Sequence, residues 1–262
     1  MNFFSKHLTR VACQGLCIFG ALALPHQNWA EDKSNAVSEN EPGAVVFTPP
    51  PGWKMANSNQ LPGSVQFMVV GKGQGDVPPS MNLATEPYSG TLKQYLKIVK
   101  SINDSKGAEW KDLGSIRTDA GNANLSQVDK KTQWGEMRMM HAILLKNHTI
   151  YIVTAAAPKE EFARYYKDFF QSIRSLRINK DIFELVSNQK RREALRNSIS
   201  ELKTEWKNSP VDSQDKLWTA FMEKINKDYS DMSLNWNQTL QKTVKDELLD
   251  SEETPEPSDR NH

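Results

Sequence analysis

The sequence predicts an α+β fold: an antiparallel sheet flanked by helices, followed by an α-helical hairpin. Three observations predict it. Segments with two-residue alternation or short apolar runs cluster between about Val45 and Ala157. Two amphipathic helical segments accompany them, one after Ser89–Thr91 and one after Pro158. From about Lys180 strand signals stop, and apolar residues recur only at spacings of three and four.

The first thirty residues stand apart. Lys6 and Arg10 precede an uncharged, largely apolar run from Val11 to Leu24, broken by Pro25. A basic start, an apolar centre and a small residue before a polar stretch read as a signal peptide, residues 1–30. Cleavage after Ala30 is the first reading and after Ala23 the second. The run spans about 14 residues, short of the roughly 20 a bilayer requires, so an uncleaved anchor is the lesser alternative. Cys13 and Cys17 both fall in this segment, and neither has a lipoprotein-like context: Leu16 stands directly before Cys17, and Arg10 stands three residues before Cys13. The remainder lacks cysteine, which excludes disulfides, thiolate metal sites and cysteine nucleophiles from it. Losing Lys6 and Arg10 takes the basic count from 33 to 31 against 32 acidic residues. A near-neutral balance is not the composition of a nucleic-acid-binding protein.

Residues 31–43 are polar, acidic and aperiodic, a flexible leader. "VVFT" is a short strand, "PPPGW" a rigid turn that delivers Trp53, and "SVQFMVVG" a second strand. "KGQGDVPP" reads as a mobile loop rich in breakers. "SMNLATEP" alternates Met81, Leu83 and Thr85 as a half-buried strand does. Ser89 or Thr91 caps a helix whose Leu92, Tyr95, Leu96, Val99 and Ile102 share one face. Three strands follow: "EWKDLGSIRTD", the polar "NANLSQVDKKT", read as curved or at an edge, and "GEMRMMHAILLKN". Asn147-His148 is a tight turn into "TIYIVTAAA", and this hairpin is the expected sheet centre. Pro158 stands as a first-turn proline, with Glu160 and Glu161 in that turn. Phe162, Tyr166, Phe169, Ile173 and Leu176 form the stripe that covers the sheet, with Tyr165 and Phe170 flanking it.

After Lys180, Leu195, Ile199, Leu202 and Trp206 have coiled-coil-like spacing. Ser209-Pro210 with Asp212 reads as a cap, first-turn proline and early acid. The next helix carries Leu217, Phe221, Ile225, Met232, Trp236, Leu240, Val244 and Leu248, with a break near Ser230–Ser233 that would shorten it. The simplest arrangement is an antiparallel hairpin over residues 180–250, followed by an acidic disordered tail, 251–262.

Several of these segments resemble one family. "FTPPPGW", "SMNLATEP" with the "TLKQYLK" helix, and "MRMMHAILLKNHTIYIVTAAAPKEEFARYYKDFFQSIRSLRI" are similar to PsbP-like domains, including the bacterial DcrB-like exported proteins. The resemblance covers about Val45 to Ile178, half of the chain, and its domain is taken as residues 44–178. It implies an α/β/α sandwich. Members of the superfamily include an extrinsic photosystem subunit, a nuclear-import GTPase-binding factor and bacterial envelope proteins. The fold is used mainly for binding proteins, with no shared catalytic motif to carry over. The helical region after Lys180 departs from the basic domain.

Chemistry-bearing residues are sparse. Outside the signal the histidines are His141, His148 and His262, and no His-x-x-x-His spacing occurs. "GKGQG" lacks the phosphate-loop ending, so no cofactor is expected. Trp53, Trp110 and Trp134 sit at element edges, where packing is the simpler role. Trp206, Trp218 and Trp236, with Arg191 and Arg192 of the basic "KRRE" cluster, are the candidate partner-binding residues if they reach the surface. The reading is a non-enzymatic exported protein, in the periplasm or cell envelope of a Gram-negative bacterium or else secreted. It acts as a protein-binding or accessory scaffold, with the helical hairpin as partner or oligomerisation element. The alternatives are a small-ligand or lipid-binding envelope protein with a pocket between sheet and helix, and a hydrolase.

Overall fold

The computed structural model describes residues 44–57, 61–62 and 64–253. The expected signal peptide and leader lie outside the described residues. The segment read as a disordered tail is helical to Glu253 and lies outside them beyond that point. The described residues form two compact units, one of residues 47–177, the other of residues 178–253 together with 44–46. The protein is α+β, and the described residues form β-sheet and five α-helices.

After β1 (Ala44–Val46), the elements of the first unit are β2 (Lys54–Met55), β3 (Val65–Val70), β4 (Ser80–Pro87), α1 (Leu92–Ser105), β5 (Glu109–Thr118), β6 (Gly121–Thr132), β7 (Gly135–Lys146), β8 (Thr149–Pro158) and α2 (Phe162–Arg174). The strands make one antiparallel sheet in the order β2-β3-β4-β8-β7-β6-β5. β8 stands at its centre, hydrogen-bonded to β4 on one side and β7 on the other, and buried from Thr149 to Ala157. Asn147 and His148 both have left-handed φ, 48° and 53°, as a two-residue type I′ hairpin turn requires.

One face of the sheet packs under α1, where Tyr95 and Val99 meet Ile143, Ile150 and Ile152. Thr91 and Gln94 close a capping box at the start of α1. The other end is a Schellman motif: Gly107, φ 65°, donates to Asp104 O, and Ala108 donates to Asn103 O. The opposite face packs under α2. Phe169, Ile173 and Leu176 are fully buried, and Phe162 carries the Arg138 guanidinium over its ring. Trp53 meets Phe169 edge-on, ring centroids 5.9 Å apart.

The structure corrects several local expectations. β6 is an interior strand and β5 the edge. The polar residues of β6 are used internally: Asp129 takes both Arg138 Nε and Nη2, at 2.7 and 2.6 Å, and Lys159 Nζ lies 3.3 Å away. β4 is buried on both faces from Ser80 through Ala84 rather than on one. Pro158 ends β8 opposite Met137, and α2 begins only at Phe162. The glycine-rich loop is held by the first turn of α2: Gln74 N lies 3.5 Å from Glu161 Oε2, Tyr165 donates to Lys72 O, and Arg164 bonds Gln74. Gly71 in that loop leaves no room for a side chain, since a Cβ would stand 2.6 Å from the Trp53 ring.

In the second unit β1 pairs with β9 (Arg177–Asn179), and a 3-10 turn at Phe183–Leu185 leads to α3 (Gln189–Asn208), α4 (Val211–Asp228) and α5 (Leu234–Glu253). The break near Ser230–Ser233 divides the expected second arm into α4 and α5. α3 and α4 run antiparallel: Tyr229 Oη donates to Arg191 O, and Lys224 Nζ donates to Ser198 Oγ. α5 returns alongside α3, with Lys203 paired to Glu247 at 2.6 Å. Pro210 itself occupies the cap position of α4, and Ser209 ends α3. The core of this unit gathers Leu195, Ile199, Phe221, Ile225, Trp236, Leu240 and Val244. Trp236 is fully buried and donates Nε1–H to Ile182 O at 3.1 Å.

Each unit therefore hangs on one large buried ring. Trp236→Ala and Phe169→Ala are each expected to lower the unfolding free energy of their unit by roughly 3–5 kcal/mol. Trp236→Phe, which loses the bond to Ile182 and leaves a small cavity where the larger ring stood, is expected to cost less, about 2 kcal/mol. Urea titrations followed by circular dichroism measure both.

Candidate functional site

Two features of the first unit invite a functional reading. The first is a groove between the edge strand β5 and the C-terminal half of α2. Tyr166, expected in the buried stripe, is 48% exposed. The buried face of α2 is centred on Phe162, Phe169, Ser172 and Ile173, and at 100° per residue Tyr166 falls at its margin. Its ring leans on Phe170, centroids 4.5 Å apart, and Arg174 lies over Phe170 at 5.8 Å. Across from them is Leu113, 37% exposed. Leu113 and Tyr166 are the exposed large hydrophobics of this unit among the described residues, and both line the same open groove of about 730 Å³. Arg117 and Arg174 line it too, and neither makes an ion pair among the described residues. Asp119 joins them at the groove's end, its backbone N–H donating to Arg174 O.

The second feature is a buried polar band on the α1 face. Strand register places Asn82 opposite Thr154, Thr154 opposite His141, His141 opposite Ser126 and Ser126 opposite Asp112. All but Asp112 are buried. The band divides the apolar packing of this face in two: Val128, Met139, Ala156 and Ala108 on one side, Ile143, Ile150, Ile152 and Val99 on the other. His141 Nδ1 lies 3.0 Å from Thr154 Oγ1. Ser126 Oγ and Ser80 Oγ from the sheet, Asn103 Oδ1 from α1 and Trp110 Nε1 from β5 are buried without a hydrogen-bond partner among the described residues. Folded proteins keep few such groups, because each costs about 1–3 kcal/mol.

The residues singled out in the helical region fare differently. Trp236 and Trp206 belong to the core of the second unit, 0% and 8% exposed, so neither offers a face to a partner in this structure. Trp218 is half-buried, packed on Phe221, with Lys245 Nζ 5.3 Å over its ring. Arg191 closes the junction of α4 and α5: it grips Asp231 through two bonds, at 2.9 and 2.6 Å, donates to Asp228 O and lies over Tyr229. This bond holds the Asp231 carboxyl below, and the Arg191 guanidinium above, their usual ranges. Arg192 is half-buried beside Glu184, Gln189, Glu193 and Arg196. The groove went unread in the sequence because Tyr166 shares the three-and-four spacing of the core residues. Its one local sign was the Tyr165-Tyr166 pair, since adjacent helical residues cannot face the same way. No group of three metal-ligating side chains converges among the described residues, and no described helix is long and apolar enough to cross a membrane.

No family model matches the chain, and no curated protein does. Solved structures do. LpqN, involved in cell envelope biogenesis of Mycobacterium tuberculosis, is similar over 53% of this chain and 86% of its own, at 10% identity and TM-score 0.39. Cyanobacterial PsbP (CyanoP) from Synechocystis sp. PCC 6803 matches 52% of this chain and 86% of its own, at 9% identity and TM-score 0.39. The Ran-binding protein Mog1p of Saccharomyces cerevisiae matches 52% and 90%, at 15% identity and TM-score 0.38. The structures similar to this chain thus include a PsbP. The narrower likeness to DcrB-like proteins stays a reading of the sequence.

His141 gives the polar band a measurable signature. Burial pulls its pKa from 6.5 down to about 4. Between those values the unfolded chain binds a proton that the folded one refuses, so stability falls as the pH drops below 6.5 and the loss is complete below 4. At 1.36 kcal/mol per pKa unit the total is roughly 3 kcal/mol. His141→Gln is expected to remove this share of the acid sensitivity in urea titrations run from pH 7 to pH 4.

Proposed function

We propose that this chain is a non-enzymatic, exported binding protein of the cell envelope that docks another protein in the groove between β5 and α2. The observation that carries the reading is the convergence of Leu113 and Tyr166, exposed, with Phe170 and two arginines that make no ion pair among the described residues, in one concavity. Aromatic and arginine side chains dominate the energetics of protein interfaces, and a cluster of exposed apolar residues is uncommon where nothing binds. The apolar run and basic start of residues 1–30 support export. The helical unit is the accessory element of this scaffold, a second partner-binding or self-association surface, with Trp218 and Arg192 its half-buried candidates.

A photo-cross-linking residue placed at Tyr166 is expected to yield a discrete adduct with one envelope protein. The same residue at Lys97, exposed on α1 at the opposite face, is expected to yield none. Absence of an adduct at Tyr166 sinks the reading.

The polar band favours a second reading, a small-ligand-binding protein with its site between sheet and helix. It differs from the expected pocket in lying under α1 rather than under the aromatic helix. If the band is dry, Ser126→Ala relieves an unsatisfied hydroxyl and raises the melting temperature. If a hydrogen-bonding occupant fills it, the same change lowers the melting temperature, and native mass spectrometry shows the occupant's mass.

A further inference from the structure

Resting on the docking reading, we infer that the groove selects a partner segment in which an apolar or aromatic residue stands beside a carboxylate. Three observations lead there. The lining has an apolar part: Leu113 from β5, with Tyr166 and Phe170 stacked on α2. It also has cations: Arg117 and Arg174 are exposed and without an ion pair among the described residues, and Asp119 is the acid that joins them in the lining. Elsewhere in the same sheet an arginine does find its carboxylate, as Arg138 finds Asp129. A guanidinium presents donors in a planar fork that fits a carboxylate in two-point fashion, and such charge-assisted bonds are roughly twice as strong as neutral ones.

The third observation concerns the route that is closed. β5 is an edge strand, and a partner could in principle extend the sheet. The ladder is interrupted at its middle by a register shift between Asp112 and Gly114. Gly114 takes φ 87°, where a bulge turns the edge away from straight pairing. Its N–H donates to Asp112 Oδ1 at 2.8 Å, and its carbonyl accepts from Asn124 Nδ2 at 3.2 Å. The main-chain N–H and carbonyl of Gly114 are therefore already engaged by side chains. A bulge of this kind is one way edge strands are protected from unselective pairing. Recognition falls to side chains: an apolar group between Leu113 and the Tyr166–Phe170 pair, and an anion on the arginines.

The test uses the full chain and an array of short random-sequence peptides. Each binder is remade with Asp changed to Asn and Glu to Gln, and affinities are read by fluorescence anisotropy. Binders are expected to carry an acid next to an apolar residue and to weaken at least roughly tenfold as amides, the scale of one charge-assisted contact. Arg117→Gln and Arg174→Gln are expected to weaken the acidic peptides to a similar degree with an unchanged melting temperature, because both side chains are exposed. Amide peptides that bind as well as the acids, yet fail on Tyr166→Ala, overturn the inference and leave the docking reading standing. Peptides indifferent to Tyr166→Ala, or an array without binders, overturn both. Binding to phosphatidylglycerol vesicles in place of peptides gives the groove to a membrane surface. Self-association abolished by Arg174→Gln gives it to a second copy. Either result overturns the inference.

Discussion

The first unit depends on β8 being closed on every side. Its backbone is hydrogen-bonded to β4 and β7, and its side chains are buried from Thr149 to Ala157 beneath helices on both faces. The described residues contain no cysteine, so no disulfide supplements hydrophobic burial and the hydrogen-bond ladder. Each large apolar side chain removed from water contributes roughly 1.5–3 kcal/mol. Phe169, Tyr151, Ile150 and Ile143 meet around this strand or its neighbours with little or no exposure. The Asn147-His148 turn matters because it sets the register of β7 against β8, and every pairing further out is counted from there.

Register also explains why two unlike features share one sheet. Side chains alternate between faces with a period of two, so a slip of one residue would exchange them. As it stands, the α2 face receives Met81, Leu83, Met140 and Ala142, while the α1 face receives Asn82, Thr154, His141 and Ser126 in one line. The first face is a dry floor for α2, whose margin becomes the wall of the groove. The second face buries polar groups in mid-layer, and native proteins retain such arrangements where they specify structure or hold an occupant.

The helical unit solves a different problem. Three helices in sequence need a sharp reversal between α4 and α5, and Arg191 supplies it by tying Asp231, Asp228 O and the Tyr229 ring to the start of α3. Tyr229 returns the contact through its hydroxyl to Arg191 O, and Trp236 packs against Tyr229 from the next helix. A basic cluster that reads as surface charge in the sequence thus includes one residue that acts as a staple.

The amino-acid pattern alone determined the class of fold, the capped helix after Thr91, the tight turn at Asn147-His148 and the central place of the hairpin it joins. These are local properties: capping chemistry, left-handed turn preference and apolar periodicity act over a few residues and leave their mark there. Tertiary structure alone decided that β5 and not β6 is the edge, that α2 starts after Glu161, and that Tyr166 faces water while Trp206 and Trp236 do not. It alone aligned Asn82, Thr154, His141 and Ser126 from four strands into one band, and brought Leu113 to Tyr166 and Phe170. Strand order and the rotation of a helix about its axis depend on which distant surfaces meet, and spacing along one chain does not record that.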